Sequence, residues 1–583
     1  MWATGALAQF NNPPGVDIWC GKAYRATNAS FAPGGGLVKP IGSSEPLLDM
    51  RVRPRMNIYT SNDDEASFIV DARISFLHGQ TIHSDITFTL GDNRRKTDSE
   101  LSVDIFMAGS TEKLISGAKV TMNTTSNEFK FPLQGITSST EPYAITLLAR
   151  SSSANDSFTA TTLLTRLPAR SDSGSITKLD SLHGGLLVQD YKSADPAAWT
   201  PIFPYSFYVS WDGFMRNAIA NVTAFKDLGY NIVHVVPDAA LPNKSFNVTE
   251  FEAFMDACDE VGLWVMYDMR WSYQNTTLVD EQVNRLKTRK SILLWYTGDE
   301  PDGNSDPVTA PRQAYQQIKQ LDPYHPISLC LNCENFHYAD YTTGADIILS
   351  DPYPVNINAT YSTVWNTPCN ATYGDCGCDN CLGDLADTSR RLDTFARYDE
   401  WLGDRGRKLA HWAVPQAFGE ETYWPREPTG EEEVVMTMLF LNHGGKGVVM
   451  WTFPTGEDLV DTTSRLAKVL TSREVTAMLT GANPTRIDGG GLDVAVWEAG
   501  GKMLVSVVNS GYEASTEKVR VRLPEGVVEM ENVLWGETGW VLEGDTLVKE
   551  GVRPLGVSLL MLGGGNLTSF RLQGFIGKEA GER

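Results

Sequence analysis

The sequence predicts a multidomain chain: a central (β/α)8 TIM barrel flanked by an N-terminal and a C-terminal β-sandwich domain. Three observations carry this expectation. Between residues 203 and 479, eight short apolar strand patterns alternate, for the most part, with helical patterns, over a length that suits a (β/α)8 barrel. On either side of this region, strand patterns follow one another with only Ser, Thr, Asn and Gly clusters between them, as in antiparallel sandwiches. The chain has 583 residues, 42% apolar and 21% charged, so it can bury a large core and is not disordered as a whole.

Residues 1–47 read as an N-terminal extension, with 1–8 resembling the stub of a secretory signal because Ala6-Leu7-Ala8 fits a small-residue cleavage site. Residues 48–176 read as the first sandwich, from strand patterns such as Met56–Tyr59, Ser67–Phe76 and Tyr143–Leu148. A connecting segment, 177–202, leads into the barrel at 203–479. The eight barrel strands are expected at Phe207–Ser210, Ile232–Val236, Leu263–Tyr267, Ile292–Tyr296, Ile327–Leu331, Ile347–Leu349, Leu409–Val414 and Val448–Trp451. Between strands two and three, Phe251, Phe254, Cys258 and Val261 recur at helical spacing within Glu250–Val261, and Gly262 ends that helix. Helices are likewise expected at Arg390–Leu402 and Glu431–Leu441. Strands five and six lie too close for a full helix between them, whereas a Cys-rich insertion, 356–386, separates six from seven. Residues 480–583 read as the second sandwich, from Leu492–Trp497, Met503–Val508, Lys518–Leu523 and Val557–Leu562.

Charge and cysteine usage narrow the setting. Acidic residues outnumber basic ones 72 to 49, a net charge of −23 that repels phosphate backbones and argues against a nucleic-acid partner. No run of 18 apolar residues is present, so no membrane span is expected. Ten Asn-X-Ser/Thr acceptors (Asn28, Asn123, Asn155, Asn221, Asn243, Asn247, Asn275, Asn358, Asn370 and Asn566) point to a secreted, extracellular glycoprotein. Six of the eight cysteines crowd into Cys330, Cys333, Cys369, Cys376, Cys378 and Cys381. The close spacing of the last four could suit a zinc knuckle, but no His lies inside that cluster. In an oxidising compartment a disulfide-pinned loop is the better reading, with all six oxidised and the insertion held over the cleft.

In a barrel of this kind, the C-terminal strand ends carry the chemistry. Here they read Ser210-Trp211-Asp212, Asp238, Tyr267-Asp268-Met269-Arg270, Thr297-Gly298-Asp299-Glu300-Pro301-Asp302, Ser350-Asp351-Pro352-Tyr353, Pro415-Gln416-Ala417-Phe418-Gly419-Glu420-Glu421 and Trp451-Thr452-Phe453. Carboxylates suit acid/base or nucleophilic work, and aromatic faces stack on sugar rings, a combination fitted to glycosidic bonds. The sequence has no His-Glu-x-x-His metal pair, no Gly-x-Ser-x-Gly elbow and no phosphate-cradling Gly loop, so no metal and no cofactor are expected.

Trp295-Tyr-Thr-Gly-Asp-Glu300-Pro301-Asp302 resembles the strand-four signature of the clan of retaining (β/α)8-barrel glycoside hydrolases, usually Asn-Glu-Pro. The sandwich–barrel–sandwich order is similar to β-galactosidase- and β-glucuronidase-like members of that clan. The resemblance covers about residues 200–475. It implies a carbohydrate substrate, with Glu300 as general acid/base. Two positions depart from the clan's pattern. Asp299 stands where the clan has the Asn that holds the substrate 2-hydroxyl, and Gln416 stands where the strand-seven Glu nucleophile is expected. A Gln cannot form a glycosyl ester, so a second carboxylate is sought first in Glu420, then Asp351, then Glu421. Asp351 is equally readable as a turn residue capping its own backbone, and Glu420 and Glu421 as solvated loop charges. Asp299, Trp211, Asp268, Arg270, Tyr353, Gln416 and Trp451 are the expected substrate-binding positions, with Trp211 and Trp451 also readable as core rings. The competing expectation is a non-catalytic carbohydrate-binding or cell-surface protein on a decayed hydrolase barrel, which Gln416 favours.

Overall fold

The computed structural model describes residues 15–28, 34–82, 100–151, 156–189, 198–217, 219–237 and 246–564. The signal-like stub 1–8, Asp238, and the acceptors Asn155, Asn243 and Asn566 lie outside the described residues.

Eight parallel strands close into a barrel: Tyr205–Ser210, Ile232–Val236, Trp264–Asp268, Ile292–Asp299, Ile327–Leu331, Ile347–Ser350, Ala410–Ala413 and Val448–Phe453. Strand eight pairs with strand one in the register Tyr205↔Val448, which closes the ring. The strands read as near-continuous apolar runs because both of their faces are buried. Along strand one, Phe207 and Val209 join the core beneath the helices, while Tyr208 belongs to the core inside the barrel with Leu294, Tyr296, Cys330, Leu349 and Trp412. Alternation of side chains along a strand thus sorts one run into two cores.

The helices follow the apolar periodicity. The helix Val248–Val261 buries Phe251, Phe254 and Cys258, starts where the Asn247 side chain accepts backbone N–H groups, and ends at Gly262 in the left-handed region at φ 71°. The helix Gly430–Asn442 opens with a reciprocal capping box between Thr429 and Glu432. Between strands five and six the chain has room only for Tyr338–Tyr341 and one 3-10 turn. After the insertion, Asp387–Leu402 restores the helix before strand seven.

Antiparallel sheets lie on both sides of the barrel in sequence. Before it, two four-stranded sheets share one core that includes Val52, Phe68, Val103 and Leu147. After it, a five-stranded and a three-stranded sheet enclose Val496, Val505, Val521 and Leu560. A small sheet of Thr177–Leu179, Leu186–Gln189 and Trp199–Ile202 contributes Leu179, Leu186, Val188 and Ile202 to the core inside the barrel. Among the described residues, no helix is long and apolar enough to cross a membrane.

The cysteines pair differently from the expectation. The disulfides are Cys20–Cys333, Cys369–Cys376 and Cys378–Cys381, while Cys330 and Cys258 are buried free thiols. Cys330 is not oxidised because it lies within barrel strand five and packs into the barrel core. Cys333, beyond the strand end, instead reaches the N-terminal extension.

Candidate active site

The chain after strand four turns abruptly. Glu300 follows Asp299 directly and takes φ 48°, a left-handed backbone that a non-glycine residue holds at a cost of about 1–3 kcal/mol. Its N–H donates to the Cys330 carbonyl (3.2 Å), and its own carbonyl accepts from the Asn304 backbone N–H (2.9 Å). Two residues on, the Asp302 carboxylate accepts the backbone N–H groups of Gly303 (2.9 Å), Asn332 (3.2 Å) and Cys333 (2.9 Å). Asp302 thereby ties the loop after strand four to the loop after strand five. Burial pushes its pKa up to about 7 despite those donors.

Glu300 meets Asp351, the residue immediately after strand six, through a side-chain hydrogen bond. The Asn332 amide spans the pair, its Nδ2 donating to Glu300 Oε1 (3.1 Å) and to Asp351 Oδ1 (3.4 Å). Burial, and after it the neighbouring Asp351 charge, hold Glu300 well above the usual carboxylate range. Burial also raises Asp351, to about 6, with the Glu300 hydrogen bond working against the rise. Like charges this close do not both ionise easily, so the pair retains a proton near neutrality. The Cys330 thiol also hydrogen-bonds Asp351, and burial holds that thiol protonated.

A second charged group lies beside this pair. Arg270 Nε donates to Asp268 Oδ2 (2.7 Å) and its Nη1 to Asp299 Oδ2 (2.6 Å). His234 Nε2 lies 2.8 Å from Asp268 Oδ2, and Tyr296 OH donates to Asp299 Oδ1. Burial would raise Asp268, but Arg270 and His234 outweigh it and leave the carboxyl below its ordinary value. Burial lowers His234 in turn, which keeps the imidazole neutral. The Arg270 guanidinium sits 5.4 Å from the ring centre of Trp451 and 5.5 Å from that of Tyr208. Its Nη2 is buried with no protein acceptor among the described residues.

The remaining positions fall into four groups. Trp211 is a core ring packed against Phe246, Phe251 and Phe254, so it offers no face to a sugar. Gln416 is fully buried, its Oε1 accepting from Val355 N (2.9 Å) and its Nε2 donating to the Phe418 carbonyl (3.1 Å). Both ends of its amide are used within the protein, and Asp268 is likewise enclosed by its ion pairs rather than open to substrate. Glu420 and Glu421 are exposed on the loop beyond strand seven, Glu420 at φ 59°. It is Asp351 that shares the Asn332 amide with Glu300. Tyr353 is buried, 5.0 Å from Phe418 between ring centres, while Trp451 remains half-buried.

Two residues, Asn332 and Trp271, escape a reading of the strand ends, and Asp302, which that reading includes at the end of strand four, is given no role by it. Asn332 carries no motif. Trp271 is 55% exposed immediately after Arg270, and its place at the end of strand three is a signal that could have found it.

The sequence matches no protein-family model and no curated protein. Among the solved structures similar to the chain are glycoside hydrolases. An FMN-binding β-glucuronidase from Facaelibacterium prausnitzii L2-6 is 13% identical, covering 84% of this chain and 68% of its own, with a TM-score of 0.33. An α-amylase from Geobacillus thermoleovorans, complexed with acarbose, is 11% identical over 64% of this chain and 95% of its own, with a TM-score of 0.42. A GH30 endoxylanase from Clostridium papyrosolvens C71 is 10% identical over 62% of this chain and 96% of its own, with a TM-score of 0.39. Likenesses at this level carry no argument about this chain's chemistry. The closed eight-stranded parallel barrel rests on the chain's own strand pairing.

Proposed function

We propose that this chain is a secreted glycoside hydrolase in which Glu300 is the general acid that protonates the departing glycosidic oxygen. The observation that carries this reading is the Glu300–Asp351 pair, two carboxyls from the loops after strands four and six, bridged by the Asn332 amide from the loop after strand five between them. A proton held above the usual carboxylate range is what a general acid needs near neutral pH. The disulfides and sequons support an extracellular setting, and the exposed Trp271 and the spare Arg270 Nη2 supply a stacking face and a donor for a sugar.

The pair also bears on the rest of the mechanism. A double displacement uses carboxyls about 5–5.5 Å apart, and inversion uses about 6.5–9.5 Å, so that the anomeric carbon or a water fits between them. Carboxyls joined by a hydrogen bond leave no such gap. Asp351 therefore acts on the same side as Glu300, keeping its proton in place, and the attack on the anomeric carbon comes from water or from a neighbouring group of the substrate. The experiment is a screen of the secreted chain against polysaccharides and aryl glycosides, with the anomer of the first product read by NMR. Inversion indicates water and retention indicates the substrate's own group. A trapped glycosyl ester on the protein would refute this assignment of Asp351.

The buried, doubly bonded Gln416 supports a second reading, carbohydrate binding without turnover. Calorimetric binding of an oligosaccharide that the chain leaves intact after prolonged incubation would favour it.

One prediction follows from the charges. Burial is the first cause of Glu300's raised pKa and the Asp351 charge the second, and Asp351→Asn removes that charge while leaving the burial in place. The alkaline limb of kcat/KM, where Glu300 loses its proton, should move to lower pH in that variant. A limb that stays in place or moves upward shows that the two carboxyls are not coupled.

A further inference from the structure

The N-terminal extension reaches the carboxylate pair, and nothing in the proposed chemistry yet uses it. Ile18–Trp19 and Lys22–Ala23 form a two-stranded hairpin. Its turn residues Cys20 and Gly21 both take positive φ, 50° and 71°, the geometry of a tight two-residue hairpin turn. Three ties hold the hairpin at the barrel mouth. Cys20 is disulfide-bonded to Cys333, just beyond strand five. Lys22, 6% exposed, pairs with Asp379 in the insertion. Ala23 forms a β-bridge with Tyr373 in the same insertion. So held, the Trp19 ring lies over Gly303, where an added Cβ would stand only 2.5 Å from Trp19 Cζ2. Its Nε1 donates to Asn332 Oδ1 at 2.9 Å.

This hydrogen bond fixes which way the Asn332 amide faces. An indole N–H can only donate, so it must meet the amide oxygen, and the Nδ2 group must then face the two carboxyls. The Asn332 carbonyl accepts from Arg391 Nη1 (2.5 Å) and its backbone N–H donates to Asp302, so the main chain is held independently of Trp19.

We infer that Trp19 and Asn332 are positioning residues for the Glu300–Asp351 pair, with the hairpin holding the indole that orients the amide. The inference rests on the proposed acid role of Glu300 only for its kinetic consequence. A donor aimed at a carboxylate favours the ionised form. Without Trp19 the amide is free to turn its oxygen toward the pair, which favours the protonated form. Loss of the indole N–H therefore raises the pH at which the pair titrates.

Trp19→Phe keeps a ring over Gly303 and removes the donor. Gly303→Ala displaces the ring without altering Asn332, and Gly303 has no positive φ that would forbid alanine. Asn332→Ala removes the bridge itself. In each variant the titration of the pair should move up by about half a unit to one unit, the scale of a lost donor. It is read as the carboxyl band in infrared difference spectra between pH 4 and pH 9 and, where a substrate is found, as both limbs of kcat/KM. For Trp19→Phe, kcat should change and KM should not. The infrared arm needs no turnover, so an inactive parent would refute the proposed hydrolase while leaving this inference open to its own test. Folded Trp19→Phe and Gly303→Ala variants that titrate like the parent overturn it. If Trp19→Phe does not fold, Gly303→Ala and Asn332→Ala decide alone, and parental titration in both overturns it.

Discussion

Replacing Glu300 with Gln should lower kcat on a cleaved glycoside by about 10²–10⁴-fold, the range of a single general acid/base. The variant should keep its fold, since Gln has nearly the size of Glu and still offers an oxygen to Asn332 Nδ2. It should also remove the alkaline limb that Glu300 sets, because no proton is then lost from that side chain. Substrate affinity should change little, as the residue acts on the leaving oxygen rather than holding the sugar. Parental turnover by the purified variant, with no contaminating activity, would remove Glu300 from the mechanism.

Arg270→Leu should be among the most destabilising single changes in the barrel, by about 3–5 kcal/mol, the usual consequence of stripping one partner from a buried ion pair. Asp268 is fully buried, and Arg270 satisfies both it and Asp299. With the guanidinium gone, Asp268 loses the largest charge opposing its burial and keeps only His234 and a backbone N–H. The sign with pH follows. In the parent, the lowered Asp268 pKa contributes stability above the carboxyl's unfolded value, and this is lost as pH falls through the folded value. In the variant the Arg270 share of that contribution is lost and burial pushes the Asp268 carboxyl up, so its deficit should be larger at pH 7 than at pH 4. Urea unfolding followed by tryptophan fluorescence at both pH values measures this. An equal deficit at the two pH values would show that the lost packing, and not the charge, is responsible.

The site shows where chain order suffices and where it does not. Glu300 stands out in sequence because a buried apolar run delivers it to a strand end just before Pro301. Asp351 has the same kind of address, directly after strand six. The order of preference among Glu420, Asp351 and Glu421 could not be settled along the chain, because three residues of loop separate Glu420 from Gln416. A loop of that length can face either way, and Glu420 takes a left-handed backbone there with its side chain exposed. Trp211 and Trp451 look alike in sequence, each ending a strand. Only the partners of each ring distinguish them, three Phe side chains around one and a guanidinium beside the other.

The cysteines make the same point. Their density in the insertion drew Cys330 into the predicted disulfides, yet pairing follows strand direction and distance rather than crowding. Cys330 belongs to a strand whose alternation sends its side chain into the barrel core, and Cys333 three residues later is clear of it.

The sequence by itself determined the barrel, its eight strands and the sandwich-like sheets on either side, because burial on one or both faces of an element leaves a periodic record along the chain. Only the tertiary structure decided that Asp351 stands against Glu300, that Gln416 is spent on backbone hydrogen bonds, and that Trp19 meets Asn332 across 313 residues. Contacts at that separation depend on where loops and side chains come to rest, and neither hydropathy nor spacing encodes them.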